Sequence, residues 1–270
     1  MKESIGFIGA GNMAQALIQG WLAKNLIQPT EIFVSNRTPG KLKKLSEQLQ
    51  VQSCMTNEDV VEKSSVVILA IKPQDLEAAV EPIASSFTEE QIVVSLAAGI
   101  PLRKLKSLLP QCRHIVRLMA NTPARVMQGV YGYCSATPNI LVDRWMERMF
   151  KPMGFTIKLE EGDQFQGFAI ASSSGVGFVF ELMIYWIEWL EERGLDTATA
   201  QSITVHTFLG ASELALRSAP QGLAELQAQV ASKKGITAAG LESMRELEIE
   251  RLLRYSFEKS ALRDQELSQG

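Results

Sequence analysis

The first chemistry legible in the chain is anion binding at a strand-to-helix turn. Gly9-Ala10-Gly11-Asn12-Met13-Ala14 follows the short apolar run Ser4-Ile5-Gly6-Phe7-Ile8 and leads into Ala16, Leu17, Ile18, Trp21 and Leu22, which recur at helical spacing. A strand, a tight turn and a helix in that order leave free N–H groups at the helix start, facing a bound anion. In the G-x-G-x-x-A form, Gly9 permits the turn, Gly11 lets backbone approach a pyrophosphate, and Ala14 keeps the helix close to the strand. The pattern predicts a dinucleotide site. Ser35-Asn36-Arg37-Thr38 then ends the second strand, where an acidic residue would pair with a free ribose 2′-hydroxyl. A carboxylate there would repel a 2′-phosphate. Hydroxyl, amide and guanidinium groups can donate to one, and Arg37 can do so bidentately, so NADPH is expected, with NADH less preferred.

Other chemistries find little support. His114 begins a strand and His206 lies in a helical pattern, and neither has a paired carboxylate or nucleophile, so structural roles are expected for both. No His, Cys and carboxylate cluster has ligand spacing, and no metal is expected. Cys54, Cys112 and Cys134 are odd in number, widely spaced and without a C-x-x-C pair, which predicts buried thiols in a reducing compartment. Charges of both signs are interspersed to a net −3, so neither a nucleic-acid nor an anionic-membrane partner is expected. The N-terminal residues run into the first strand without a basic region and a cleavable apolar segment, which predicts a cytoplasmic protein. The most apolar stretch, Gly177 to Leu190, is interrupted by Glu181 and Glu188 and reads as too short and too charged to span a membrane.

The elements that must position these groups alternate in type. Strands are expected at 31–35, 66–70, 92–96, 114–119, 130–133 and 155–159, with helices at 39–49, 76–83 and 138–150 between them. This is a doubly wound, Rossmann-like α/β pattern. Strand signals stop near Gly162, and helical patterns follow at roughly 164–193, 197–217, 220–231 and 238–268. The 270 residues thus predict two domains, 1–161 for the nucleotide and an all-helical 162–270. The helix carrying Phe178, Phe180, Leu182, Met183, Ile184, Trp186, Ile187 and Trp189 is apolar around most of its circumference. Such a helix is either central to its domain or buried against a second subunit. A helical domain of only about 110 residues favours an intertwined homodimer, with a larger homo-oligomer left open.

Three further strings fall where later strands end: Ala70-Ile71-Lys72-Pro73-Gln74, Ser95-Leu96-Ala97-Ala98-Gly99-Ile100, and Val116-Arg117-Leu118-Met119-Ala120-Asn121-Thr122-Pro123-Ala124. With the N-terminal turn, they resemble the pyrroline-5-carboxylate reductase family from Ile5 to Leu267 in order. The resemblance implies an NADPH-dependent oxidoreductase acting on a C=N bond, the one that forms proline from 1-pyrroline-5-carboxylate. It implies that Gly9, Ala10, Gly11, Asn12 and Met13 hold the pyrophosphate and that Ser35, Asn36, Arg37 and Asn57 hold the adenosine end. Ala70, Ile71, Lys72, Pro73, Ala97 and Ala98 are implied at the nicotinamide end, with Asn121 close to the reacting centre.

In the substrate half the chain departs from the family strings. Ser172-Ser173-Ser174-Gly175-Val176-Gly177 stands for Ser-Gly-Ser-Gly-Pro-Ala, and Ala120 replaces the proline of Met-Pro-Asn-Thr-Pro. Ser232-Lys233-Lys234-Gly235-Ile236-Thr237 stands for Ser-Pro-Gly-Gly-Thr-Thr. The resemblance makes Ser174, Gly175 and Gly235 part of the substrate site, with Thr237 donating a hydrogen bond to the small-molecule substrate. Because only glycine takes positive φ cheaply, Lys233 and Lys234 are expected to change the conformations open to their loop. These departures leave two alternatives open: reduction of another cyclic imine, or a diverged NADP-binding paralogue with a regulatory role.

Overall fold

The computed structural model describes residues 3–269. Eight strands form one sheet: β1 (Ile5–Ile8), β2 (Ile32–Ser35), β3 (Gln52–Ser53), β4 (Val66–Leu69), β5 (Ile92–Ser95), β6 (His114–Ala120), β7 (Gly129–Ser135) and β8 (Gly154–Lys158). Their order is β3-β2-β1-β4-β5-β6-β7-β8, so the winding reverses between β1 and β4. Pairs up to β5·β6 are parallel, β6·β7 is antiparallel and β7·β8 parallel. β1 and β4 are buried throughout, with Ile5 opposite Val66 and Ile8 opposite Leu69. Successive residues feed opposite faces: Phe7 and Ile68 join one core with Leu17, Trp21 and Phe150, while Ile8 and Leu69 join another with Val60, Leu76 and Phe165. Two buried faces explain why the strands read as unbroken apolar runs.

Helices α1 (Asn12–Ala23), α2 (Pro39–Leu49), α3 (Asn57–Lys63), α4 (Pro73–Val80), α5 (Leu102–Leu108) and α6 (Ile140–Phe150) connect the strands. Ala14 is fully buried in the core behind β1. The expected helix at 76–83 is α4 followed by a tighter turn over Glu81–Ser86, where Pro82 lacks an N–H for the ladder. β3, α3 and α5 were not expected from periodicity; at two, seven and seven residues they are too short to display one. The start of α3 does carry a local signal, since Asp59 N–H donates to Thr56 Oγ1 and Thr56 N–H to Asp59 Oδ2, each at 3.1 Å. Hydrogen bonding from the Thr56 side chain and then from its backbone N–H holds the Asp59 carboxyl pKa below the usual value.

By contacts the chain divides into two compact units, residues 1–174 with 260–270, and residues 175–259. In the first lie α7 (Asp163–Phe168) and a π-helical turn over Ala169–Ser174. In the second lie α8 (Gly175–Glu192), α9 (Thr197–Arg217), α10 (Leu223–Val230) and α11 (Ile236–Glu246); α12 (Ile249–Gln269) starts there. The single helix expected at 238–268 is two, because Glu248 takes φ 52°, a left-handed conformation that cannot continue a right-handed helix.

The expectation drawn from the length of Gly177–Leu190 also changes. Helical backbone runs unbroken from Asp163 to Glu192, 30 residues with a mean hydropathy of 1.6 over the most apolar window, which is long and apolar enough to cross a membrane by composition. No residue of α8 is buried, and Phe180, Tyr185, Trp186 and Trp189 are each about half exposed. Within its unit α8 packs on α9, with Trp186 edge-on to Phe208 at 5.0 Å. Phe178 also meets Phe257 of α12 at 5.4 Å, and the apolar surface left exposed on α8 calls for a partner.

Candidate active site

The carboxyl ends of β1, β2 and β4 open onto a cleft of about 690 Å³ at the point where the strand order reverses. Gly9 makes the turn out of β1 with φ +106°, and a Cβ there would stand 2.4 Å from the Ala70 carbonyl oxygen. Its N–H donates to Ser35 O at 2.9 Å, and Ala70 N–H donates to Ile8 O at 2.9 Å, so three strand ends are held together. Gly11 caps α1 without a side-chain hydrogen bond, leaving the first-turn N–H groups of that helix available to an anion. Its φ of −72° is ordinary, and a Cβ built on it meets nothing within 4 Å. What Gly11 provides is bare backbone facing open space.

The polar residues at the end of β2 divide their work. Asn36 Oδ1 accepts from Ala10 N–H at 3.1 Å while its Nδ2 donates to Thr38 O at 3.0 Å, so the amide shapes the glycine turn. The buried Ser35 hydroxyl donates to Asn57 Oδ1 at 2.7 Å, and Asn57 Nδ2 reaches Ala79 O at 3.5 Å. Hydroxyl and amide, expected as donors to a 2′-phosphate, are thus engaged within the protein. Arg37 is the group left pointing outward, its side chain 86% exposed and loosely paired with Asp75 at 3.7 Å. Lys41, in the first turn of α2, lines the same end of the cleft. An uncapped helix start at one end and two cations at the other suit a dinucleotide carrying an extra phosphate.

Ten residues named from the sequence line this cleft: Gly9, Ala10, Gly11, Ser35, Asn36, Arg37, Asn57, Ala70, Ile71 and Lys72. Five others do not line it. Asn12 and Met13 form the first turn of α1, Pro73 opens α4, and Ala97 and Ala98 follow β5, where Ala97 is buried in the core. The fold adds Lys41, Met55, Asp75, Ala78 and Ala79, which sequence reading passed over, along with Ile8 and Thr38 from the two strand-end strings it names. Lys41 had a usable signal, lying four residues after Arg37 across a helix start; Met55, Asp75, Ala78 and Ala79 arrive from other connections.

Asn121, at the end of β6, is buried with its amide engaged on both sides. Nδ2 donates to Ser172 O at 3.1 Å and Oδ1 accepts from Val130 N–H at 2.9 Å, while Ser173 Oγ reaches Ala120 O at 3.4 Å. The π-helical turn over 169–174 is therefore tied to β6, and Asn121 acts by positioning that segment. Ser174, at the end of the turn, is exposed. Nearby, Glu161 Oε1 accepts from Arg117 at 2.9 Å and from Leu102 N–H at 2.6 Å, and the Arg117 guanidinium sits 4.4 Å over the Phe165 ring. These contacts fix where α7 begins.

The remaining residues expected at the substrate site, Gly175, Gly235 and Thr237, fall in the other compact unit. Gly235 caps α11, its N–H donating to Ser232 O at 2.9 Å, and Thr237 is the second residue of that helix. Lys234 takes φ +60°. The loop thus reaches the left-handed region despite the lysine, a conformation that costs an L residue roughly 1–2 kcal/mol. His114 Nδ1 lies 3.3 Å from Asn139 Nδ2, and His206 Nδ1 lies 2.8 Å from Ser202 O on α9. Among the described residues, no group of three or more His, Cys, Asp or Glu gathers in a way that could hold a metal.

Residues 4–99 match the family described as NADP oxidoreductase, coenzyme F420-dependent, and residues 162–267 match that described as pyrroline-5-carboxylate reductase dimerisation. A pyrroline-5-carboxylate reductase of Pseudomonas aeruginosa is 33% identical over 266 residues, covering 98% of this chain and 97% of its own. The chain belongs to the pyrroline-5-carboxylate reductase family. A solved family structure from Coxiella burnetii superposes with a TM-score of 0.91 at 30% identity over 99% of each chain. A Plasmodium falciparum member solved with NADP bound has a TM-score of 0.86 at 21% identity, over 99% of this chain and 98% of its own, and shares the fold. For a pyrroline-5-carboxylate reductase, the exposed apolar surface of α8 lies within the part of the chain that matches the dimerisation family, which accounts for it by a subunit interface.

Proposed function

We propose that this protein reduces 1-pyrroline-5-carboxylate to L-proline with NADPH, working as a homodimer through its helical domain, with the functional boundary between residues 161 and 162. The observation that carries the cofactor half is the glycine turn at the β1–β4 switch point with Arg37 outward-facing at the far end of the same cleft. When bound, NADPH supplies the hydride that reduces the C=N carbon. In this reading Gly9 to Met13 receive the pyrophosphate on bare backbone and helix N–H groups. Ser35, Asn36 and Asn57 shape the adenosine end while Arg37 binds the 2′-phosphate, and Ala70 to Pro73 with Ala97 and Ala98 frame the nicotinamide end. Asn121 holds the 169–174 turn in place, Ser174, Gly175 and Gly235 border the substrate, and Thr237 donates to it through its hydroxyl. The chain's work is orientation and carboxylate anchoring, since a ring imine is readily protonated without a dedicated acid. Three buried, unpaired cysteines support a reducing, cytoplasmic setting.

A second reading, reduction of another cyclic imine, draws on Lys233 and the left-handed Lys234 beside Gly235, which put two cations at the loop before α11. Purified protein with NADPH and 1-pyrroline-5-carboxylate should lose nicotinamide absorbance at 340 nm and accumulate proline. Turnover of other imines alone would favour the second reading. Micromolar NADPH binding without turnover of any imine would overturn both and favour a regulatory role.

A further inference from the structure

Asp75 faces the adenosine end of the cleft from the first turn of α4 and is the one carboxylate among the described residues lining it, against the cations Arg37, Lys41 and Lys72. Its Oδ1 lies 3.7 Å from Arg37 Nη1, and both side chains are substantially open to solvent, 86% for Arg37 and 38% for Asp75. Two observations follow from that placement. The pair is loose and exposed, so it does little to hold Arg37 in a fixed pose. In the pose that pairs it with Asp75, Arg37 brings any phosphate it engages close to that carboxylate, a like charge lining the same cleft.

Resting on the NADPH reading above, we infer that Asp75 sets how strongly the reductase discriminates NADPH from NADH, by opposing the 2′-phosphate that Arg37 attracts. The end of β2 lacks the acidic residue that would accept a hydrogen bond from a free ribose 2′-hydroxyl. Asp75 supplies a carboxylate to the same end of the cleft from a different strand connection, which keeps NADH a usable ligand and holds NADPH affinity below what Arg37 and Lys41 alone would give. Asp75 is a specificity-determining residue and takes no part in the chemical step.

The test is equilibrium binding to the full-length protein, by calorimetry, of NADPH, NADH, adenosine 2′,5′-bisphosphate and 5′-AMP, for wild type, Asp75→Asn and Asp75→Ser. Both replacements are tolerated in a helix first turn, and Asn keeps the shape of the side chain. The expected result is tightening of NADPH and of the bisphosphate by about three- to tenfold, the scale of removing one partly screened like charge beside a dianion. NADH and 5′-AMP should be unchanged or weakened. The gain should shrink when salt is raised to 0.5 M, which a purely structural effect of the substitution would not do. Equal changes for both nucleotides, or weaker NADPH binding in both variants while the wild type binds it tightly, would overturn the inference and leave the cofactor reading intact. Failure of the wild type to bind any nicotinamide nucleotide would overturn the cofactor reading and this inference with it.

Discussion

Gly9 and Gly11 stand two residues apart in one turn, and alanine at each separates folding from cofactor binding. At Gly9, φ is +106°, and an added Cβ would lie 2.4 Å from the Ala70 oxygen and 3.0 Å from its carbonyl carbon. Both atoms are backbone at the end of β4, where Ala70 N–H is held by Ile8 O at 2.9 Å. Relief requires moving β1 or β4, both fully buried. A strained φ/ψ costs of order 1–3 kcal/mol, and displacing a buried strand end adds to it, giving about 2–4 kcal/mol for Gly9→Ala. For a chain of this size that lowers the melting temperature of the cofactor-free protein by roughly 5–15 °C. At Gly11 the conformation suits any residue and the added methyl meets nothing within 4 Å. Alanine gains about 0.4–1 kcal/mol from a less disordered unfolded chain and loses a similar amount as a poorer N-cap, so the melting temperature should stay within roughly 2 °C of wild type. The methyl does occupy the space a pyrophosphate needs beside bare backbone, and NADPH affinity should fall at least tenfold, about 1.4 kcal/mol. Thermal melts without cofactor and NADPH titrations on the two variants decide the matter. A Gly11→Ala protein that melts as low as Gly9→Ala, or that binds NADPH like wild type, would refute the assignment of the two glycines.

Arg37→Ala should weaken NADPH by about 1.5–3 kcal/mol more than NADH, the scale of one charged hydrogen bond; an equal loss with both nucleotides would remove the 2′-phosphate role. Phe180→Glu places a charge on the exposed apolar surface of α8 and should convert a dimer to monomers by light scattering, since an unpaired charge buried at an interface costs of order 2–5 kcal/mol. An unchanged dimer would put the interface elsewhere. Burial raises the thiol pKa of Cys54 and pushes those of Cys112 and Cys134 up to about 11. Because burial disfavours the thiolate, these groups stay protonated at pH 8 and should resist a disulfide reagent in the folded protein, all three reacting after denaturation. Fast labelling of the native protein would contradict the packing around them.

Much of the fold was legible because its signals are local. The β1 turn is written in six consecutive residues, and buried parallel strands such as 66–69 and 92–95 are written as short apolar runs. The change from alternating elements to helices shows where strand patterns stop. α3 and α5 escaped because two turns carry too little periodicity, and the break at Glu248 escaped because no residue type there marks a left-handed conformation. Lys234 shows a related limit: propensity states the cost of positive φ, and the surrounding loop decides whether that cost is met, as it is at φ +60° here.

The sequence by itself determined that a dinucleotide meets the first turn, that the second strand ends without an acid, and that a helix such as α8 needs cover. Only the tertiary structure decided what each polar group does. Ser35 is engaged by Asn57, 22 residues on, and Asn121 by Ser172, 51 residues on. Asp75 meets Arg37 because β2 and β4 both flank β1. Strand order is a property of the whole chain, while residue type and spacing speak only for their neighbours. The sequence could therefore nominate Arg37 for a phosphate, but only the packed sheet could set a carboxylate beside it.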